Sequence, residues 1–410
     1  HQGPWGGNAT VPDFTPEYLG DDAFRLYAHY GINQMMIYGE MLCYVRSRIF
    51  PELNHPEYER HITMLAEAAR RAQRFGVRFA YLVVAPRLCP EHPVFQNHPA
   101  ARGSRRNSEG KSFRPWHNLC TSDPEVRAFY SETMENLFRA VPELGGAIVI
   151  VAEESFYHCY MRRWSMDQPC PRCFERAPEE VVAEAVESIV RGVHRASPDA
   201  FVAVWSYLPT QWQDPVGPEY LALYPKDVVV FDQIETNDWI PKGRLRKWVW
   251  DYSIDYAGPC AIFRRRLELA RQLGLPFFVK TETAIGLEMF QYPYVPALQR
   301  LADKWQIVRD QHPEGVHQAW LFYGLFGSRA EELGLWAAYG SDIPRDRFLR
   351  EMAVRDFGPD AADGVLRAWA CMSEAVGHIP SLCTPVYYIG PSFLGPSHPR
   401  RPQARPRNPR

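Results

Sequence analysis

At 410 residues, 46% hydrophobic and 23% charged, the chain can bury a large core and is long enough for a barrel of about 250–350 residues with an added module. A formal charge of -2 gives no general attraction to nucleic acid or an anionic membrane surface, and no apolar run approaches the length of a membrane span. Nine scattered cysteines, an odd number, argue against a full disulfide framework, and thiols left unpaired favour the cytoplasm.

Residues 15–30 carry Tyr18, Leu19, Phe24, Leu26 and Tyr27 at helical spacing, closed by Gly31, and 32–38 follow as a short apolar strand. An amphipathic helix over 57–75 ends at Gly76 and leads into a strand over 77–85. Residues 86–122 read as a polar loop rich in Pro, His and Arg, longer than a connector needs to be. Ser122 or Asp123 caps a helix running to about residue 140, and Gly145-Gly146 opens the next strand, whose β-branched run 147–152 ends in two adjacent carboxylates, Glu153 and Glu154.

The unit then repeats. A helix over 178–196 precedes a strand over 200–207 that ends in Trp205, Ser206 and Tyr207; a short helix over 218–224 precedes a strand over 228–234, with Asp232 inside it and Glu235 just beyond. Helix 260–273, Gly274 and strand 276–281 follow, then helix 295–311, strand 316–323 and helix 331–339. Seven strands, each preceded by a helix, predict an α/β fold of the (β/α)8 TIM-barrel type whose first strand lies upstream of residue 1 or within the irregular first dozen residues. The doubly wound alternative lacks a glycine-rich phosphate fingerprint after any early strand. Helices alone, over 344–357 and 360–377, divide the chain into a barrel (1–340), a helical appendage (341–390) and a Pro- and Arg-rich tail (391–410) with nothing to bury, expected to be disordered.

Acids have no packing reason to end a buried strand, whereas the carboxyl ends of barrel strands are where reacting groups collect. Glu153 and Glu154 follow the fourth strand of the barrel, counting a missing first; Glu235 follows the sixth; Glu282 and Glu288 follow the seventh. Two carboxyls across a shared pocket are what hydrolysis of a glycosidic bond requires, one protonated to release the leaving oxygen and one ionised to attack or to stabilise charge at the anomeric carbon. Glu154 is the expected general acid, with Glu288 ranked ahead of Glu235 as nucleophile or stabiliser. Aromatic candidates for stacking on sugar rings are Trp205, Tyr207, Trp239, Trp320 and Tyr323, and Asp232, Glu282, Arg87 and His117 are candidate polar contacts to substrate. For each of these the alternative is core packing or a salt bridge.

In these positions the chain, over roughly residues 15–340, resembles the (β/α)8 glycoside hydrolases, whose largest clan carries a general acid after strand four and a nucleophile after strand seven. Where that clan places an asparagine before the acid, this chain has Glu153. The adjacent pair Glu153-Glu154 also resembles the Asp-Glu pair of family 20 hexosaminidases, in which the first acid orients the substrate acetamido group and the second donates the proton; here the first is one methylene longer. The resemblance implies a carbohydrate substrate and catalysis without a cofactor, exo-acting where long loops wall a pocket. A non-catalytic carbohydrate-binding barrel and a metal-dependent barrel hydrolase or lyase remain the rivals.

Cys170-Pro-Arg-Cys173 sets two thiols on one turn, the usual half of a zinc site. With Cys159, and with His158 or Cys120 as the fourth ligand, it would close a structural zinc site that pins the loop after Glu154. Free thiols or a disulfide are the alternatives, and a redox role would need a thioredoxin-like context that is absent.

Overall fold

The computed structural model describes residues 19–106, 115–152, 155–207, 217–249, 253–281, 295–318, 328–339 and 342–378. In chain order these form α1 (Asp21–His29), β1 (Gln34–Glu40), α2 (Tyr58–Gln73), β2 (Arg78–Val84), β3 (Arg102–Arg106), β4 (Trp116–Leu119), α3 (Pro124–Ala140), β5 (Leu144–Ile150) and β6 (Met166–Gln168). They continue with α4 (Pro178–Ala196), β7 (Phe201–Trp205), β8 (Val229–Gln233), β9 (Asp238–Lys242), β10 (Leu245–Val249), α5 (Ala261–Leu273), β11 (Phe277–Thr281), α6 (Leu298–Asp310), β12 (Gly315–Gln318), α7 (Arg329–Ala338), α8 (Arg345–Phe357) and α9 (Pro359–His378).

Seven strands pair in parallel in the order β1-β2-β5-β7-β8-β11-β12. The helix–glycine–strand punctuation holds, since Gly31, Gly76 and Gly274 all adopt positive φ at the turns it marks. Side chains alternate across the sheet with the strand period of two. One set, including Met35, Tyr81, Val149, Val204, Val230 and Val279, faces the helices; the other, including Met36, Leu82, Ile148, Ile150, Ala203, Trp205 and Phe231, fills the concave side. This is the barrel architecture expected from the sequence, an α/β barrel sheet with flanking helices and further helices at its C-terminal end. The proposed first strand and the tail at 391–410 lie outside the described residues.

Two segments depart from the sequence reading. The stretch 86–122 is no simple loop: it holds a short helix, Pro93–Asn97, and β3 and β4, which with β6 make a three-stranded antiparallel sheet. A second hairpin, β9–β10, stands where no strand was expected. Trp336 of α7 stacks on Phe348 of α8 and its Nε1 donates to the Ile343 carbonyl (2.9 Å), while Arg300 Nε of α6 donates to the Ser373 carbonyl (2.9 Å), so α8 and α9 pack on the last two barrel helices. Among the described residues no helix is long and apolar enough to cross a membrane.

Charge braces the strands to the helices. Asp232 of β8 turns to the helix-facing side, where Arg266 of α5 donates to its Oδ2 at 2.6 Å, both side chains being fully enclosed. Glu235, just past β8, lies against Lys304 of α6 (3.1 Å) and accepts from Thr281 Oγ1 (3.2 Å), again with no exposed surface. A charge left alone in such a place carries most of its desolvation cost. Asp232→Asn is therefore expected to lower the free energy of unfolding by about 3–5 kcal/mol, whereas Asp232→Leu with Arg266→Met recovers most of the loss. Urea unfolding of the three chains checks this; a single-variant loss of about 0–1 kcal/mol, the size of a surface pair, would contradict it.

Candidate active site

The carboxyl ends of the parallel strands form a mouth walled on the β1–β2–β5 side by a cluster the sequence reading only partly anticipated. Glu40 ends β1 and pairs with Arg87, which follows β2; the carboxylate is largely enclosed while the guanidinium is 42% exposed. Burial pushes the Glu40 carboxyl above its usual range, and Arg87 only partly offsets that. The Arg87 and Arg162 guanidinium carbons sit 5.2 and 5.3 Å from the Phe156 ring centroid, and Trp116 meets the same ring edge-on at 4.8 Å. Phe156 and Arg162 hold left-handed backbone (φ 54° and 46°), conformations that cost side-chain-bearing residues energy and collect at functional sites. Phe156 and Met161 pack onto the concave side with Ile148 and Trp205, so the loop after β5 folds over the barrel interior. Glu40 was not singled out in the sequence: one acid after a short apolar strand carries no signal until its burial and its arginine are known.

Several expected site residues serve the fold instead. Asp232 and Glu235 are the braces described above, and neither side chain has exposed surface. Trp205 is fully buried, its Nε1 donating to Gln233 Oε1 (2.8 Å), and Tyr207 packs on it with ring centroids 5.2 Å apart, so both belong to the interior filling. His117 is buried, with Nδ1 2.9 Å from the Gly103 carbonyl and its ring against Phe95. Trp239, by contrast, is 50% exposed on the β9–β10 hairpin. Glu153, Glu154, Glu282, Glu288, Trp320 and Tyr323 lie outside the described residues. Lys280, unremarked in the sequence, is buried at the end of β11 in register with Gln233 and His317.

The cysteines do converge. The sulfurs of Cys120, Cys159, Cys170 and Cys173 all lie within 4.8 Å of one another, with Cys120 Sγ 3.5 Å from both Cys170 and Cys173. A tetrahedral zinc with Zn–S bonds of about 2.3 Å has sulfur–sulfur edges of about 3.8 Å, which this cluster matches, whereas a disulfide would bring two sulfurs to about 2.05 Å. His158 is not a ligand: its Nε2 lies 2.9 Å from the Val151 carbonyl and its Nδ1 accepts from the Tyr160 amide (3.2 Å), leaving no lone pair for a metal. Thiol hydrogen bonds from Cys120 and Cys159 pull the Cys170 thiol down while burial pushes Cys159 up, so the protons are shared unequally.

Beside the sulfurs lies Arg106, which the sequence did not single out. Fully buried, it donates through Nε to the Met161 carbonyl (2.6 Å), through Nη1 to Asn118 Oδ1 (2.6 Å) and through Nη2 to the Cys159 carbonyl (2.7 Å). One guanidinium thus clamps both ends of the Cys159–Met161 turn. A cavity of about 750 Å3 lies elsewhere: Gln34, Met36, Phe201, Phe278, Gly315 and Tyr339 line it near the amino ends of the strands, between edge strands β1 and β12. In barrels of this kind reacting groups collect at the opposite, carboxyl ends of the strands.

No protein-family model and no curated protein matches the chain. Solved structures do. A family 138 glycoside hydrolase targeting pectin rhamnogalacturonan II aligns with 92% of this chain at a TM-score of 0.54 and 11% identity, and the chain spans 41% of that enzyme's length. An endo-1,4-beta-mannanase from Eisenia fetida aligns with 84% of this chain (92% of its own; TM-score 0.43, 12% identity), and an endoglucanase from Pseudomonas stutzeri with 82% (93% of its own; TM-score 0.42, 12% identity). What the chain shares with the first of these is the fold, an α/β barrel of the TIM type.

The neutral, doubly bonded state of His158 has a measurable consequence. Burial pushes its pKa down to about 3, against about 6.5 in an unfolded chain. A depressed folded value means the stabilisation is complete above about pH 6.5 and is lost as pH falls toward about 3, at up to ~1.4 kcal/mol per pH unit. Urea unfolding at pH 7 and pH 4.5 should show the loss, and His158→Gln, which keeps a donor and an acceptor, should make it shallower. An equal slope in both chains would assign the acid sensitivity elsewhere.

Proposed function

We propose that the chain is a glycoside hydrolase working with a pair of carboxylates at the carboxyl ends of its parallel strands. The observation that carries this reading is the barrel sheet shared along 92% of the chain with a glycoside hydrolase. Within that sheet β5 and β11 stand three places apart, the separation between strands four and seven, and the acids follow them directly in sequence: Glu153-Glu154 after β5, Glu282 and Glu288 after β11. Glu154 donates the proton to the leaving oxygen, and Glu288, or Glu282 in its place, attacks or stabilises the anomeric carbon. Glu153 orients the substrate; in the family 20-like variant of the reading it holds an acetamido group that itself attacks. Arg87 and Trp239, the expected contacts that keep exposed surface among the described residues, bind sugar hydroxyls and a ring face, and the long inserted loops favour exo-action on a small or branched sugar.

Glu154→Ala and Glu288→Ala are each expected to lower turnover of a susceptible aryl glycoside by about 10^2- to 10^4-fold. Screening aryl glycosides of several sugars with the intact chain identifies that substrate. Unchanged rates in both variants would end the assignment, and carbohydrate binding without turnover would point to the non-catalytic barrel.

The same reading gives Cys120, Cys159, Cys170 and Cys173 a structural zinc ion. Four thiolates close the coordination shell, so the metal would hold the loop after β5 and take no part in bond cleavage. Elemental analysis of chain purified without chelator should find about one zinc per chain, and Cys170→Ser should lose it together with thermal stability. Less than a tenth of an equivalent would dispose of the site.

A further inference from the structure

The β9–β10 hairpin is built inside out. Its two strands pair in antiparallel register with Trp239 opposite Trp248, Ile240 opposite Lys247 and Lys242 opposite Leu245. Gly243, with φ 60°, takes the left-handed position that a two-residue hairpin turn needs. Alternation puts Trp239, Pro241, Arg246 and Trp248 on one face and Ile240, Lys242, Lys247 and Val249 on the other. Ordinary patterning would bury the tryptophans and expose the lysines. Here the lysine face is inward: Lys242 and Lys247 are 7% and 4% exposed, both paired with Asp255, Lys247 at 2.9 Å, and Lys242 also reaches the Gly377 carbonyl of α9. Burial raises the Asp255 carboxyl, yet Lys247 and Lys242 more than reverse that and hold it below its ordinary value, so the pairing is with a carboxylate.

A slip of one residue would turn every side chain over, burying the indoles and freeing the lysines. The buried ion pairs forbid the slip, and the tryptophans are thereby held toward solvent. Trp239 is 50% exposed, its ring centroid 6.4 Å from that of Trp248 with 34° between the planes, and Arg246 lies 5.0 Å from the Trp239 ring. Trp248 Nε1 donates to Asn237 Oδ1 (3.4 Å), and Tyr256 Oη donates to Asp238 Oδ2 (2.5 Å), which fixes the hairpin where it leaves the carboxyl end of β8. The hairpin thus begins five residues beyond the carboxyl end of β8.

We infer that this outward face, Trp239 and Trp248 with Arg246 beside them, is a platform for the sugar rings of a carbohydrate chain whose end reaches the mouth; the choice of carbohydrate rests on the proposed function. Trp239, half-exposed, and Trp248, less exposed still, offer at most about 200 Å2, far short of the roughly 800 Å2 per partner that a stable protein–protein contact uses. Indole faces flanked by a guanidinium donor suit the C–H faces and hydroxyls of pyranose rings.

Gel electrophoresis through soluble mannan, pectin or hydroxyethyl cellulose tests this with the whole chain. The intact chain is expected to be retarded by at least one of them. Trp239→Ala and Trp248→Ala should each raise the dissociation constant about tenfold, about 1.4 kcal/mol. Trp239→Tyr, which keeps a ring and guards against misfolding of the alanine variant, should recover most of the binding, and Leu245→Ala, at a more exposed position whose side chain alternates to the other face, should change nothing. Absence of retardation by all three polymers, retardation indifferent to the indoles, or an indole-dependent change in oligomeric state by light scattering with retardation intact would each overturn the platform. Aryl-glycoside turnover by the intact chain reports separately on the hydrolase: turnover without retardation sinks the platform alone, and indole-dependent retardation without turnover sinks the hydrolase alone.

Discussion

Burial of the Arg106 guanidinium is the constraint on which the mouth depends. A cation taken out of water must find its hydrogen bonds in the protein, and a planar fork with fixed donor directions finds them in one arrangement only. Here the partners are backbone carbonyls at Cys159 and Met161 and the Asn118 amide oxygen, so the turn after β5 and strand β4 are placed relative to each other by one group. Burial lowers its pKa to about 10, which leaves the charge in place at neutral pH. On the same turn Cys159 contributes its sulfur to the thiol cluster and its carbonyl to Arg106. Sulfur and guanidinium therefore hold the same few residues from two sides, and Phe156, Arg162 and the wall they build with Arg87 and Glu40 follow from that.

Much of the architecture was legible because it rests on periodicity. Apolar runs of strand length, helices closed by glycine and their regular alternation specify a parallel sheet wrapped by helices, and the order β1-β2-β5-β7-β8-β11-β12 is the simplest way to lay them out. The cysteine knot was legible too, since Cys170 and Cys173 fix half a site by spacing alone. The fourth member of the cluster was not: Cys120 and His158 compete equally on paper, and the convergence of the Cys120 sulfur and the hydrogen bonds that occupy both His158 nitrogens decide between them.

What remained hidden was direction. Sequence shows that Asp232 and Glu235 stand at the end of a strand, but period-two alternation does not say which way a strand-end acid turns, and the cations that claim them come from helices 34 residues away at Arg266 and further along at Lys304. Trp205 and Tyr207 looked like sugar platforms because tryptophan at a strand end suits that use, yet the interior needed large rings to fill it. The β9–β10 hairpin escaped notice for the opposite reason: its lysines occupy core positions, and a pattern read by hydrophobicity assigns them to the surface.

The strand-to-helix ion pairs also bear on how the fold answers to heat. Hydration of charged groups becomes less favourable as temperature rises, so the cost of keeping Asp232 with Arg266 and Glu235 with Lys304 away from water shrinks on warming, while the gain from apolar burial levels off. Contacts that are close to neutral at room temperature turn into net supports near the melting transition. The stability curve of this barrel should accordingly fall less steeply on its hot side than its hydrocarbon core alone would dictate.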